Sequence, residues 1–151
     1  MGQDDIDMRI LRALQQDPDR ALDAIGQEVG LSRNACWRRI RAMQSSGVIA
    51  GKRILLNAEA LGLPLTVFIQ VRTDKHDRAW AADFARTTRA LPQITGVYRM
   101  SGDLDYLIRA QVADMAGYDH LYQRLTSGVA IADVSASFVM EAVKDTHDLP
   151  I

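Results

Sequence analysis

Residues 28–49, EVGLSRNACWRRIRAMQSSGVI, constrain the fold more than any other stretch of this chain. Gly30 can adopt the left-handed conformation that ends a helix, and Ser32 is a favoured cap for the helix that follows. That second helix, expected over about residues 33–46, is rich in arginine and stops at Ser46-Gly47. Two helices joined by so short a turn indicate a helix-turn-helix, whose second helix commonly lies in a DNA groove.

Charge is segregated in the same region. Between Ser32 and Ala58 there are six basic residues and no acidic residue, whereas the whole chain has a formal net charge of −1. A local cationic segment in a near-neutral protein usually faces a polyanion. The six basic residues are Arg33, Arg38, Arg39, Arg41, Lys52 and Arg53.

The overall composition fits an ordinary globular protein. Hydrophobic residues make up 48% and charged residues 25% of the 151 residues, enough for one medium domain or two small ones. No run approaches the roughly 18 apolar residues of a membrane-spanning helix, and the acidic start MGQDDIDMR lacks the layout of a secretion signal. Cys36 is the only cysteine, which excludes an internal disulfide. Together these features favour the cytoplasm.

A helical pattern precedes the helix-turn-helix. Apolar residues recur at helical spacing over residues 5–17, and Asp17-Pro18 ends that helix. Residues 21–29 predict a second helix, and the β-branched stretch 48–56, broken by Gly51, predicts a small β-hairpin wing. We therefore expect a winged helix-turn-helix over residues 1–52, followed by a linker over residues 53–64.

The pattern changes after Pro64. Strands are expected over residues 65–71, 94–100, 106–112 and 134–143, and helices over residues 77–91 and 114–127. The order β-α-β-β-α-β is the ferredoxin-like arrangement, an α+β fold in which two helices cover one face of a four-stranded sheet. The other face would be exposed and partly apolar, so it is expected to find a partner. This domain is placed at residues 65–143, with a C-terminal tail over residues 144–151.

These motifs resemble the Lrp/AsnC, or feast/famine, family of transcription regulators. The N-terminal resemblance rests on Asp7, Ile10, Leu11, the segment VGLSRNACWRRIRAM and the following SGVI. The C-terminal resemblance rests on residues 98–107, YRMSGDLDYL, and on SFVMEAVK at residues 137–144. Within the family, Cys36-Trp37, the SFVME strand and the ending LPI resemble the subgroup that senses cysteine and controls its detoxification.

Two departures from the family pattern bear on function. Asn34-Ala35 stands where family members usually have Pro or a small residue, which affects the expected preference for a DNA half-site. The segment SGVAIADVSAS before the last strand replaces the family's Leu-Pro-Gly-Val loop and Thr-rich strand, which bears on the identity of the ligand.

The second helix of the motif offers two classes of DNA contact. The side chains predicted to face the major groove, where Arg can read guanine and Asn can read adenine, are Ser32, Arg33, Asn34, Trp37 and Arg38. The side chains predicted to contact phosphates, and so to set affinity and salt dependence, are Arg39, Arg41, Lys52 and Arg53. The alternative is that this helix is only a solvated surface.

Two further residues of this helix have open roles. Trp37 either stacks at the DNA surface or packs in the small core. Cys36 is either a small buried apolar side chain or a redox or metal sensor.

Gly102-Asp103-Leu104-Asp105 is the candidate effector site. Its two carboxylates can receive an α-ammonium group, and exposed turn amides can bind an α-carboxylate. The alternative is an acidic β-turn that joins two strands. The resemblance implies that an amino-acid effector binds at this loop and a subunit boundary, and it adds Tyr98, Met100 and Ser101, together with Val134, Ser135 and Ala136 from the neighbouring subunit.

Catalytic and metal-binding motifs are not found in the sequence. His76, His120 and His147 have no metal-ligand spacing, so no metal site is expected. No P-loop, dinucleotide motif or catalytic triad is visible, so neither a cofactor nor an enzymatic activity is predicted. An enzyme stays open as an alternative because ferredoxin-like domains host small catalysts, and it would need an enclosed polar pocket.

The expected partner is double-stranded DNA with a palindromic operator. Such a site requires a dimer whose recognition helices lie one duplex turn apart, about 34 Å. The resemblance implies dimerisation through the sheet, further assembly that is commonly an octamer, and a small amino-acid effector that shifts assembly and DNA affinity. The alternative is a non-specific architectural DNA-binding protein without an effector, which would bind random and operator DNA equally.

Overall fold

The computed structural model of the chain describes residues 4–151, so the first three residues of the domain predicted at residues 1–52 lie outside the described part. The chain forms two compact units. One unit extends to Leu55 and also includes Lys144–Ile151, and the other comprises Leu56–Val143. Within the described part, no helix has the length and apolar character needed to cross a bilayer.

Three helices form the first unit: α1 spans Asp5–Gln16, α2 spans Leu22–Val29 and α3 spans Arg33–Ser45. The Asp4 carboxylate caps α1 by accepting the Asp7 N–H at 2.8 Å, and α1 ends before Asp17-Pro18 as predicted. One buried cluster holds the three helices together, and it comprises Ile10, Ala13, Ile25, Val29, Cys36 and Met43.

The turn between α2 and α3 is tight. Gly30 caps α2 with φ 76° and ψ 32°, and the Leu31 N–H donates to the Gly26 carbonyl at 2.8 Å. A Cβ on Gly26 would lie 2.5 Å from the Leu31 carbonyl oxygen, so the backbone itself occupies the space of a side chain. Ser32 then caps α3 by accepting the Ala35 N–H at 3.3 Å, as the sequence predicts.

The predicted wing is absent, and that expectation was wrong. Gly47 has φ 78° and ends α3, and the Ile49 N–H donates back to the Met43 carbonyl at 3.1 Å. Residues 48–56 then contain no strand. A tight hairpin turn needs a residue with positive φ, and within residues 48–56 none has one. The exposed fractions of Ile54, Leu55 and Leu56 are 83%, 76% and 72%.

The second unit has the predicted ferredoxin-like order. The strands are β1 (Leu65–Arg72), β2 (Ile94–Arg99), β3 (Tyr106–Val112) and β4 (Asp133–Phe138), and the helices are α4 (Arg78–Arg89) and α5 (Met115–Gly128). The sheet order is β2-β3-β1-β4, and every neighbouring pair is antiparallel. The predicted α+β fold class is therefore confirmed.

The two faces of the sheet differ. Val67, Ile69 and Val71 are buried in one core with Trp80 of α4 and side chains of α5, so both helices cover the same face. The alternate residues of β1, which include Phe68 and Gln70, are only partly buried. This alternation is the pattern of a sheet with one covered face and one open face.

The last strand is shorter than predicted. The sequence pattern extends it to residue 143, but β4 ends at Phe138, which pairs with Val67. One more bond joins the Val139 N–H to the Thr66 carbonyl at 3.0 Å. β1 begins at Leu65, directly after Pro64, so the partner strand ends there. Met140 and Val143 are 99% and 91% exposed.

Candidate nucleic-acid interface and effector site

One side of α3 is exposed to solvent. Its spacing is helical, and its members are Arg33, Asn34, Trp37, Arg38 and Arg41, all exposed. The opposite side carries the buried Cys36 and Met43. Ser32 is also exposed, although its hydroxyl oxygen already caps the helix. The predicted recognition side chains therefore share one accessible face.

Trp37 belongs to this face and not to the core. It is 50% exposed, and the Arg41 guanidinium carbon lies 5.6 Å from its ring centroid. That distance suits a cation–π contact between the two exposed side chains. Of the two roles that the sequence left open for Trp37, surface stacking is the one its position allows.

Arg39 is engaged within the protein. Its Nη1 donates to Asp4 Oδ2 and to Asp7 Oδ1, both at 2.8 Å, and these bonds tie α3 to the first turn of α1. The carboxylates of Asp7 and then Asp4 raise the pKa of Arg39 above its ordinary value. A phosphate contact by Arg39, predicted from sequence, would have to compete with two carboxylates that are already in place.

The other basic residues of the predicted interface differ in their surroundings. The side chains of Arg38, predicted to face the groove, and Arg53, predicted to contact phosphate, make no hydrogen bond or ion pair with any of residues 4–151. Lys52 pairs with Asp19, and Arg33 lies 4.0 Å from Asp23, with exposed side chains in both pairs. Exposed ion pairs are worth at most about 1 kcal/mol, so a phosphate can displace them at small cost.

Cys36 occupies a structural position. Its side chain is fully buried in the three-helix cluster, and burial raises the pKa of its thiol. A raised pKa lowers the fraction of Cys36 that is present as thiolate, which is the reactive and metal-binding form. In the part of the chain that the structure describes, no three His, Cys, Asp or Glu side chains group as metal ligands.

The predicted effector residues surround the connection from β2 to β3. The Met100 N–H donates to the Asp105 carbonyl at 2.9 Å and closes a loop over residues 101–104. Gly102 has φ 112°, a conformation that favours glycine. Tyr98, Met100, Ser101, Gly102 and Asp103 are exposed, whereas Leu104 and Asp105 are partly buried.

The end of β1 anchors this loop. The Asp105 N–H donates to the Val71 carbonyl at 3.1 Å, and Arg72 Nε donates to the Asp103 carbonyl at 2.9 Å. The buried Thr73 donates its N–H to Asp105 Oδ2 at 2.8 Å. The loop is therefore fixed to the sheet by backbone and side chain together.

The two carboxylates of the loop consequently differ. One Asp105 oxygen is committed to the Thr73 N–H, and the other lies 3.9 Å from His76 Nδ1. The Asp103 carboxylate is exposed and makes no hydrogen bond or ion pair within residues 4–151. Asp103 is thus the carboxylate free to receive a cationic group, and Asp105 holds the loop.

The three residues predicted from the neighbouring subunit lie on β4. Val134 pairs with Val71 and Ser135 with Gln70, so β1 separates them from the loop in one chain. Val134 and Ala136 pack against the hydrophobic core, whereas Ser135 is exposed. Within one protomer, two strand spacings, about 10 Å, separate β4 from β3.

Sequence reasoning missed the residues that position these sites. Gly26 fits the α2–α3 turn closely, Asp4 and Asp7 hold Arg39, and Thr73 anchors the effector loop. An acidic first turn, such as that of α1, is favourable to the dipole of its own helix. No local pattern connects it with an arginine that lies more than thirty residues away.

Two family profiles match the chain. The Lrp/AsnC ligand binding domain matches residues 66–149, and the AsnC-type helix-turn-helix domain matches residues 4–44. The DNA-binding transcriptional activator DecR of Escherichia coli is 41% identical over 149 residues, which cover 98% of each chain. The glutamate uptake regulatory protein of Zymomonas mobilis is 41% identical over 148 residues, covering 98% of this chain and 90% of that protein.

Solved structures show the same architecture. An AsnC family transcriptional regulator from Agrobacterium tumefaciens has 41% identity and a TM-score of 0.94, covering 98% of this chain and 97% of that chain. A transcriptional regulator from Neisseria meningitidis, solved in complex with L-methionine, has 29% identity and a TM-score of 0.93, covering 99% and 97%. These relatives are regulators and not enzymes. The chain therefore belongs to the Lrp/AsnC family and is a DNA-binding transcriptional regulator of the AsnC type.

Proposed function

We propose that this protein recognises a palindromic operator by inserting the exposed face of α3 into the major groove. One observation supports this most: an accessible, acid-free face of α3 carries Arg33, Asn34, Trp37 and Arg38. Arg and Asn are the side chains that read guanine and adenine edges bidentately. The Arg38 guanidinium has no hydrogen-bond or ion-pair partner among residues 4–151, so it can bind a base or phosphate without breaking an internal contact.

The remaining cations take different roles in this proposal. Arg41, Lys52 and Arg53 contact phosphates, which contribute affinity without sequence information. Arg39 instead holds α3 in position through Asp4 and Asp7. Its contribution to DNA binding is therefore indirect, through the orientation of the helix.

We further propose a homodimer formed through the open face of the sheet. A palindrome presents two half-sites about 34 Å apart, so two copies of α3 must be held at that separation. The open face, which includes Phe68 and the 52% exposed Tyr98, offers apolar area for such a contact. Assembly of dimers into an octamer is a further part of the proposal, taken from the family resemblance.

The effector in this proposal is a small amino acid bound at residues 98–105. The exposed Asp103 carboxylate receives the α-ammonium group, and backbone amides of the loop receive the α-carboxylate. Val134, Ser135 and Ala136 of a second copy complete the site. The ligand-bound Neisseria relative supports an amino-acid ligand, and the resemblance to the cysteine-responsive subgroup makes cysteine the first candidate.

Arg38→Ala tests the DNA-binding face. Operator duplexes selected from a random pool provide the probe, and affinity is measured at several salt concentrations. We expect a loss of about 5- to 150-fold if Arg38 reads a base, corresponding to about 1–3 kcal/mol. If it contacts only phosphate, the loss is uniform across sequences, and the salt slope falls by about one.

Arg124→Ala is the matched control, because Arg124 is an exposed cation on α5. It removes the same charge without touching α3. Equal losses in the two variants would show that only net charge matters. Equal affinity of the native protein for random and selected duplexes would favour a non-specific architectural protein.

A thermal-shift screen of the twenty amino acids tests the effector. A ligand at one hundred times its Kd stabilises the native state by about 2.7 kcal/mol. We expect one or a few small amino acids to raise the Tm of the native protein, and Asp103→Asn to reduce that shift. An unchanged Tm with every amino acid at millimolar concentration would contradict this part of the proposal.

A further inference from the structure

The C-terminal segment returns to the DNA-binding unit. Lys144–Ile151 follows the sheet unit directly in sequence, yet it is grouped with the helices of the first unit. Five residues, 139–143, separate its start from the end of β4 at Phe138. The chain therefore passes between the two units twice, once after Leu55 and once after Val143.

A single side chain of α1 makes two hydrogen bonds to this segment. The Leu149 N–H donates to Gln15 Oε1 at 2.7 Å, and Gln15 Nε2 donates to the Leu149 carbonyl at 3.1 Å. One turn earlier on α1, Arg12 Nε donates to the Ile151 carbonyl oxygen at 2.8 Å. The carboxamide thus bonds both backbone polar groups of one residue, although the Leu149 side chain itself is 67% exposed.

Pro150 favours the backbone conformation that Leu149 needs for these hydrogen bonds. A residue before proline is biased towards extended backbone conformations. In an extended residue, the N–H and carbonyl project to the same side, where one carboxamide can engage both groups. The sequence Leu149-Pro150-Ile151 therefore matches the donor and acceptor of Gln15.

The segment lies beside an apolar cavity of the first unit. The cavity has a volume of about 820 Å³, and its walls include Leu11 and Leu14 of α1, Ile40 of α3 and Val48, with Leu149 and Ile151 of the segment in one wall. Gln15 and Lys52 also line it. The cavity thus borders α1, which binds the segment, and also α3 and Lys52, which are assigned to DNA binding.

We propose that the edge of α1 beside this cavity, with Arg12 and Gln15, is a peptide-docking site whose ligand is the protein's own residues 147–151. When the segment is docked, it is a second chain connection between α1 and the sheet unit, in addition to the linker that precedes β1; we call this connection the strap. The strap restricts the positions that α3 can take, and preorganisation of this kind raises affinity for a rigid ligand. This consequence for DNA rests on the proposed function, whereas the docking itself does not.

Gln15→Ala in the full-length protein tests the docking. Alanine is the best helix former, so the substitution keeps α1 while removing both bonds to Leu149. Gln16→Ala is the matched control, because Gln16 is an exposed neighbour on α1 whose side chain makes no hydrogen bond within residues 4–151. Backbone hydrogen exchange at Leu149 is the measurement, with the synthetic octapeptide KDTHDLPI as the unprotected reference.

We expect exchange at Leu149 to be slower than in the octapeptide by about tenfold or more in the native protein and in Gln16→Ala. In Gln15→Ala it should approach the rate of the octapeptide. Exchange at the octapeptide rate in the native protein would overturn the docking.

A separate measurement of DNA affinity tests the proposed effect of docking on DNA binding. Gln15→Ala should weaken binding to the selected duplex by about three- to tenfold relative to Gln16→Ala. Equal affinities would refute the strap even if Leu149 is protected. If the native protein shows no salt-sensitive binding to any duplex, the proposed function fails, and the exchange rates still decide the docking.

Discussion

Gly26→Ala is predicted to destabilise the helix-turn-helix even though alanine is the better helix former. Ala is favoured over Gly within a helix by about 1 kcal/mol, so propensity alone predicts a gain. In this position, however, the new Cβ would lie 2.5 Å from the Leu31 carbonyl oxygen, whereas ordinary contact begins at 3.4 Å. The Leu31 carbonyl must move away from the new Cβ by the 0.9 Å between these distances. Because it is a backbone group, it cannot rotate aside as the end of a flexible side chain would.

The expected cost follows from the competition between the two effects. Overpacking of this kind costs about 1–3 kcal/mol, and movement of the turn also weakens the bond from the Leu31 N–H to the Gly26 carbonyl. We expect a net loss of about 1–2 kcal/mol, which increases the unfolded fraction of this unit about 5- to 30-fold. Hydrogen exchange at the fully buried Ile10 measures that fraction within the first unit alone.

Gly117→Ala provides the control for helix propensity. Gly117 also lies within a helix, but its added Cβ would meet its nearest atoms at 3.5 Å, an ordinary contact. This variant should be stabilised by about 0.5–1 kcal/mol. If Gly26→Ala were stabilised to the same extent, the close approach at the α2–α3 turn would be refuted. A displaced turn should also weaken DNA binding, because it sets the start of α3.

Further outcomes are expected at the two sites. Asp105→Ala should abolish the response to the amino acid, while DNA binding without effector survives. It should also lower the free energy of unfolding by about 1–3 kcal/mol, since the buried Thr73 N–H loses its acceptor. Asp103→Ala should abolish the response without measurable destabilisation. A normal response in both variants would relocate the effector site. Trp37→Ala should change thermal stability little, because the side chain is half exposed, but it should reduce DNA affinity in a gel-shift titration. Unchanged affinity would remove Trp37 from the interface.

Local signals predicted most of the fold. The caps at Ser32 and Gly30 and the proline after Asp17 are short-range features, and each marks a helix end in the structure. Alternation over residues 65–71 likewise predicts β1, because one face of the sheet is covered by helices. Such elements are predictable because the physical cause lies within a few residues of its effect.

The errors arose where the deciding partner lies far along the chain. Residues 48–56 have strand-like composition but no strand beside them, and residues 139–143 continue past the point where β1 begins. A strand requires a neighbour to satisfy its backbone, so composition alone is insufficient. Docking of the C-terminal tail on α1 has the same origin, since it joins Gln15 to Leu149.

The candidate sites show the same division. The exposed face of α3 follows from helical spacing and was predicted from sequence. That Arg39 does not belong to that face could be recognised only from the positions of Asp4 and Asp7 in the structure. Likewise, the different roles of Asp103 and Asp105 could be recognised only from the position of Thr73. Sequence therefore predicted which residues share a face, and the structure showed which of them already have partners.

The Asp4 cap predicts how acid should affect the first unit. The Asp7 N–H, and next the Arg39 guanidinium, lower the pKa of Asp4 below its ordinary value of about 3.9. A carboxylate whose pKa is lower in the folded state contributes stability that is fully present above its unfolded pKa. That contribution is lost as the pH falls through the folded value, so the loss lies at and below about pH 3.9.

Asp4→Asn isolates this contribution, because asparagine is also a good N-cap but carries no charge. We expect the Tm of the variant to fall less steeply than that of the native protein between about pH 4 and pH 2. Asp5→Asn is the control, since Asp5 lies in the same helical turn and its carboxylate makes no hydrogen bond or ion pair within residues 4–151. Parallel acid profiles for the native protein and Asp4→Asn would mean that the charge of Asp4 adds no stability to the first unit, and the positioning of Arg39 would then depend on Asp7 alone.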